Sequence, residues 1–452
     1  MKQVKKPAAV LISLLLLAGA TLTGCSSKQA DNSGQASTPA AASREIDWKT
    51  VKADIRFIYP GTSEAEKELA DQFKTKMKEK YPNVNIEYMF LSWQDMDKKL
   101  PIMLSSADYP DITMTQDVTN LVQLNGLEDL SPYFNKQGTA LKKEDFLPGT
   151  LEYASQGDKI YSVPNLANSF TLMVNEQMLN EVGMKIEDLK TWDSVEKAAQ
   201  LMTKGDKYGF GYPLGVARFA FRVPFTAAYS NGLVLDDTSE ASKKKYIETL
   251  EHFKKLEAYE PKAHFTWGYP EMWRSFSNGE VGMVAAGTYF SANVYSINPD
   301  IIKVTRAIPY PKGPSGTKAQ APVSSVGVGM FKGSKNKDVA WKLIEEWSSS
   351  EFNTTEAAVV NVTAVKNANL DEIVKKAEKV YPKAIDGHKR ILQDFNQILV
   401  NNGVPMATIL GQPEIETLVQ DNMTKLLMGK LSTEESYSAI KDGINKIKDK
   451  FK

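Results

Sequence analysis

The pattern of apolar and polar positions changes period repeatedly along this chain. Asp54-Ile55-Arg56-Phe57-Ile58-Tyr59 is short and rich in β-forming residues, and Pro60-Gly61 ends it. Ala65, Leu69, Phe73 and Met77 then recur every fourth residue, which predicts a helix with one buried stripe. Ser63 and Glu66 stand at the spacing of a capping box at its start. Tyr81-Pro82-Asn83 stops the helix, and Val84 to Tyr88 alternates as a second strand. Strand, helix and strand in that order predict a parallel pair with a right-handed crossover. Residues 97–104 read as helix, and Pro110 to Met114 as a third short strand.

A second α/β block follows. Ile160 to Pro164 and Thr171 to Asn175 read as strands, and Glu176 starts a helix. Trp192 begins another, with Val195, Ala198, Ala199 and Met202 at helical spacing. Residues 280–286 and 323–331 are candidate buried strands. Ser432 and Glu435 form a second capping-box signal, and Tyr437, Ile440, Ile444, Ile447 and Phe451 give the stripe behind it. No internal repeat of solenoid length is present in the sequence.

The N-terminal residues follow a different rule. Lys2, Lys5 and Lys6 precede the apolar run Ala8 to Ala20, which is short for a span of about 30 Å of hydrocarbon and suits a signal-peptide core. Leu22-Thr23-Gly24-Cys25 comes next, and Cys25 is the only cysteine. One cysteine excludes an intramolecular disulfide, a zinc ribbon and an iron–sulfur cluster. Residues 26–45 are dominated by small and polar groups that cannot offset their ordering entropy, so residues 25–48 read as a flexible tether.

Charge narrows the functional classes. The 452 residues hold 55 Lys plus Arg and 55 Asp plus Glu, a balance that excludes a globally basic nucleic-acid binder. His252, His264 and His388 are far apart in sequence and form no pair at metal-ligand spacing. There is no Gly-x-x-x-x-Gly-Lys-Ser/Thr run for ATP and no Gly-x-Ser-x-Gly nucleophile elbow.

Several blocks carry a family resemblance. They are Tyr109-Pro110-Asp111-Ile112 with Gly126 to Tyr133; Gly157 to Pro164 running into Leu172 to Asn175 and Thr191-Trp192-Asp193; Phe276 to Met283 with Gly287-Thr288-Tyr289; and Pro311 to Pro314 with Ser334 to Trp341. In this order, behind the cysteine segment, the chain resembles the extracellular solute-binding proteins of ABC importers, in the carbohydrate-type class. Leu22 to Cys25 likewise resembles a lipobox, which implies cleavage of residues 1–24 and lipid on Cys25. The stretch from Asn353 to Glu356 and beyond matches the family only loosely.

The resemblance implies an α/β, two-lobe fold of the periplasmic-binding-protein type II kind, with the ligand cleft between lobes joined by crossing strands. It implies crossings near Pro164–Val174, near Val323–Phe331 and around Asn401–Pro405. Lobe 1 would comprise residues 49–167 with about 325–400, and lobe 2 residues 168–324 with about 401–452. It further implies a small-molecule ligand, a carbohydrate above others, and no cofactor. The partners would be a membrane permease with a separate ATPase and the membrane itself, through the lipid anchor. The chain would act as a monomer on the outer face of the cell membrane, with a lean towards Gram-positive bacteria. Peptides, polyamines or ions are alternative ligands; a sensing subunit and a two-carboxylate glycosidase are rival functions.

A sugar site needs flat aromatic rings for CH faces, and amides and carboxylates for hydroxyls. Tyr59 and Thr62 follow the first strand and precede a helix N-terminus. Trp93 follows the second strand, and Gln116 and Asp117 the third. Asn168 falls in the first expected crossing. Trp267, Tyr269 and Trp273 crowd one segment beside Gly268 and Pro270 that reads as a loop, although Trp273 is also at helical spacing from Phe276; Trp267 and Trp273 are the candidates. Tyr289 stands where the family often places a stacking aromatic. Arg218 and Arg222 are one helical turn apart: facing the cleft they suit an acidic sugar, facing water they are ordinary; Arg222 joins the candidates. Trp192 and Trp341 are assigned to the core.

Overall fold

The capping chemistry read at Ser63 is present. In this computed structural model, which describes residues 46–451 apart from 62, 137, 148, 361 and 367, Ser63 Oγ accepts from the Glu66 N–H at 3.2 Å and the Glu66 carboxylate accepts from the Ser63 N–H at 2.7 Å. The signal segment, Cys25 and Thr62 lie outside the described residues, as does nearly all of the tether.

Strand β1 (Ala53–Tyr59) leads into helix α1 (Glu64–Lys80), which buries Leu69, Phe73 and Met77. Strand β2 (Val84–Phe90) pairs with β1 in parallel. Helix α2 (Trp93–Ser105) follows, then β3 (Ile112–Thr115), parallel to β1 on its other edge. β4 (Val163–Ser169) and β5 (Thr171–Asn175) are consecutive but join different sheets. Helices α3 (Trp192–Met202), α4 (Ala217–Tyr229) and α5 (Tyr269–Ser277) then lead to β6 (Met283–Ala286) and β7 (Thr305–Ile308). After β8 (Ala321–Met330) come α6 (Lys337–Trp347), α7 (Ser350–Val360) and α8 (Ile385–Asn402). Short strand β9 (Gly403–Pro405) precedes α9 (Gln412–Leu427) and α10 (Thr433–Asp449), the latter opened by the expected Ser432–Glu435 capping box.

The first sheet has the order β9-β8-β3-β1-β2, with β4 also on β8. Phe57, Ile86, Met114 and Met330 face α1 and α6, with Trp347 at the centre of that layer. Ile58 and Phe331 face the other way, onto Met96 and Leu100 of α2. A sheet covered on both faces buries its strands throughout, as in β3, where Ile112 to Thr115 are all buried. The second sheet, β6-β5-β7, is antiparallel. Leu172 and Val174 of β5 enter one core, and Met173 between them enters another with Val284 and Ala307. Each fully buried Leu, Ile or Phe in these layers contributes about 1.5–3 kcal/mol. Trp192 and Trp341 are buried in the core as expected.

The chain changes sheet at Phe170, between β4 and β5, inside the expected first crossing. Val323 to Met330, the expected second crossing, lies wholly in the first sheet, where it pairs with β4 and β3. The change of sheet comes earlier, where Tyr310 bridges Gln320 and the chain enters β8. β9 runs parallel beside the start of β8. Three backbone segments thus lie side by side: Val323 opposite Ser169 on one edge and Pro405 on the other. Helix α8, which the sequence reading groups with lobe 1, rests on the second sheet, because Asp394 accepts from the Arg306 guanidinium of β7 at 2.8 Å on both oxygens.

The segment expected as a loop around Trp267 is in part helical. Pro270 and Gly268 read as breakers, but Pro270 occupies the first turn of α5, where a missing N–H costs nothing, and the Glu271 carboxylate accepts from the Gly268 N–H at 2.9 Å.

Candidate functional site

A cleft of about 490 Å³ opens where the carboxyl ends of β1 and β3 face helices α4 and α5, the place where open α/β sheets bind ligands. Tyr59 ends β1 and Gln116 follows β3; both line the cleft. Trp93, the first residue of α2, lines it beside them, half-buried. Ser92 fixes that helix start by accepting from the Asp95 N–H at 3.1 Å.

The opposite wall is aromatic. Tyr269 and Trp273, one turn apart on α5, stack with ring centres 5.1 Å apart. Tyr289 crosses Trp273 nearly edge-on at 6.3 Å, and its hydroxyl lies 2.5 Å from that of Tyr269. Burial pushes both phenols above their ordinary range, so they stay neutral and can donate. Gly287 lets this corner form: a Cβ there would come within 2.6 Å of both the Tyr289 ring and Asn168 Oδ1. Asn168 sits on β4 at the crossing; its Oδ1 accepts from Thr288 Oγ1 at 3.2 Å, and its Nδ2 has no hydrogen-bond partner among the described residues.

Two arginines of α4 complete that side. They are 9% and 5% exposed, so neither is the solvated arginine that a water-facing reading would need. Arg218 forms an ion pair with Asp97 and donates to Gln116 Oε1 at 2.8 Å. Arg222 donates to the same oxygen at 3.3 Å and lies 4.7 Å over the Phe170 ring. Glu356 of α7 also lines the cleft and is 1% exposed; burial pushes its carboxyl up to about 8, and its Oε2 has no hydrogen-bond partner among the described residues. Mostly protonated at neutral pH, it offers a donor as well as an acceptor.

Seven of the ten cleft candidates read from sequence line this space: Tyr59, Trp93, Gln116, Asn168, Arg222, Trp273 and Tyr289. Asp117 points away from it. Its Oδ1 accepts from the Thr119 N–H at 2.8 Å, and it lines an adjoining cavity of about 430 Å³ with Glu416 and Gln412. Trp267 lines neither cavity and is 9% exposed in the core that holds Met272 and Phe276, while its carbonyl accepts from Gly215. Thr62 lies outside the described residues. Tyr269 and Arg218, weighed with their neighbours in the sequence but not among the candidates, line the cleft too, as do Phe170, Phe219, Thr288 and Glu356, which the sequence does not single out as contacts. Tyr269 was legible from its spacing to Trp273; nothing local marks Glu356, which tertiary packing alone brings there. Among the described residues no group of His, Cys, Asp and Glu is arranged to hold a metal ion.

An α/β fold of two lobes with an aromatic and amide-lined cleft between them defines a solute-binding protein. The chain belongs to the bacterial extracellular solute-binding protein family, whose model matches residues 59–354. A Brucella abortus chain named as a binding protein is 24% identical over 374 residues, 78% of this chain and 88% of the relative. The GacH receptor of Streptomyces glaucescens, solved unliganded and with acarbose, superposes with a TM-score of 0.72 at 18% identity, covering 88% of this chain and 99% of that one. Maltose-bound T. maritima MalE3 gives a TM-score of 0.70 at 19% identity, over 87% and 99%. The family acts outside the cytoplasmic membrane, and its members of the ABC-transporter type bind small molecules and hand them to a permease.

Proposed function

We propose that this chain captures a sugar or oligosaccharide for an ABC importer. The observation that carries the reading is the Tyr269–Trp273–Tyr289 surface lining one cleft with Gln116, Asn168 and Arg222: flat rings for CH faces beside amide and guanidinium groups for hydroxyls. The related structures with acarbose and maltose support it. The ligand binds first to one wall. Rotation of the lobe on the first sheet against the lobe on the second then brings up the other wall and excludes water. The chain itself performs no chemistry on the ligand; the ATPase is a separate polypeptide. Residues 1–24 are removed, and lipid on Cys25 holds the monomer to the outer face of the cell membrane, a Gram-positive one in this reading, with the tether giving it reach.

The test is a thermal-shift and calorimetric screen of residues 26–452 against neutral and acidic saccharides, peptides and polyamines. A ligand at 100 times its dissociation constant adds about 2.7 kcal/mol of stability. A saccharide that shifts the transition and is recovered unchanged supports the proposal. A shift with peptides or polyamines alone overturns the carbohydrate reading, and turnover of the saccharide overturns the transport reading.

A further inference from the structure

Arg222 carries a charge that the protein does not neutralise at close range. A buried charge is ordinarily paired. Arg218 obeys that rule through Asp97. Arg222 is equally buried, but its only close polar contact among the described residues is the 3.3 Å bond to the neutral amide of Gln116, and its Nε has no acceptor. One flat face is covered by Phe170.

The other acids nearby do not cancel it within the cleft. Asp117 and Glu416 line the adjoining cavity, which Arg222 also borders. Burial pushes both carboxyls up, with the Arg222 charge acting in the opposite direction, and neither forms an ion pair with it. Of the acids that line the cleft, Glu66 is engaged in the capping box of α1, and Glu356 is held largely protonated. What remains is one planar cation without an ion pair among the described residues, lining the same cleft as the aromatic wall.

We infer that the ligand is a saccharide bearing one carboxylate, a uronate, whose carboxyl docks on the Arg222 guanidinium while a sugar ring lies on the aromatic wall. This rests on the carbohydrate reading above. A guanidinium edge presents parallel N–H groups that match a carboxylate bidentately. A phosphate ester carries about −1.5 to −2 at neutral pH, more than this one uncompensated charge balances. A ligand carboxylate brings the single negative charge that the cleft lacks.

The experiment measures binding of an aldobiouronic acid, its methyl ester and the neutral disaccharide of the same linkage, with a sulfated and a phosphorylated disaccharide alongside. The acid is expected to bind about 10- to 100-fold more tightly than its ester, as for loss of a charged hydrogen-bonded contact. In Arg222→Gln the ratio of acid to ester affinity falls to about one. The acid–ester comparison on the natural chain stands even if Arg222→Gln fails to fold. Equal binding of acid and ester, or preference for the neutral sugar, overturns this inference and leaves the carbohydrate reading standing. Preference for the sulfated or phosphorylated sugar overturns the carboxylate assignment. Binding of no saccharide at all overturns both readings.

Discussion

On the second-sheet side of the cleft, the side chains hold one another. Tyr269, Trp273 and Tyr289 meet ring to ring, two of them share a hydroxyl hydrogen bond, and Trp273 is also packed against Phe290 of the core. On the first-sheet side, Trp93 stands half-buried at the start of a helix, and the Gln116 amide is held from across the cleft by Arg218. One wall is therefore shaped by packing before any ligand arrives. The other takes its partners from the opposite wall, from the ligand, or from both. Removing a group from the first kind of wall should reach stability and binding together; removing one from the second kind should reach binding alone.

The strongest way to break this contrast is Trp273→Ala. It should cost about 3–5 kcal/mol of folding stability, read as a lower denaturant midpoint, and abolish saccharide binding. A midpoint unchanged from the parent chain would show that the wall is not a packed unit. Trp93→Ala is the complementary experiment. Calorimetry should find binding weakened about tenfold, with stability within about 1 kcal/mol of the parent. A large stability loss there would erase the distinction between the walls. Tyr289→Phe keeps the ring and removes one hydroxyl, so chemical denaturation should register about 1 kcal/mol.

A further effect is a slope with pH. Glu356 keeps its proton in the folded state up to about 8, against an ordinary value of 4.5. Its contribution is fully present below the ordinary value and is lost as pH rises through the raised one, because the folded state then has to ionise a buried carboxyl. Melting temperatures should fall between pH 5 and pH 8, and Glu356→Gln should remove that part of the fall. A parallel decline in the variant would assign the slope to other groups.

The sequence made some of this architecture legible and hid the rest, for physical reasons. Signals confined to one segment could be read: the Ser63 and Ser432 capping boxes, the stripe of α1, and the parallel β1–β2 pair that follows from strand, helix and strand. Candidates placed just after strands came together in the cleft because that is where such sheets end. Asp117 differs from Gln116 by one residue, and that single step turns it into the neighbouring cavity. Trp267 went to the core because the helix after it buries Met272 and Phe276, a packing fact that a run of aromatics beside Gly and Pro conceals. Glu356 lies in a stretch with weak family signal, and only the fold of α7 over β4 brings it to the cleft. The environment of Arg218 and Arg222 was open in the sequence because four-residue spacing fixes a common face but not what that face meets.

The three strands at the crossing behave as a leaf spring. Ser169, Val323 and Pro405 lie abreast and are tied across by ladder hydrogen bonds, so the ribbon bends easily out of its plane but resists sliding within it. A joint of that kind has one soft coordinate and several stiff ones. The same thermal energy gives a large excursion along the soft coordinate and a small one along those that would twist the walls out of alignment. In the proposed closure the same side chains would therefore meet across the gap each time, their alignment set by the backbone ladder rather than by the ligand.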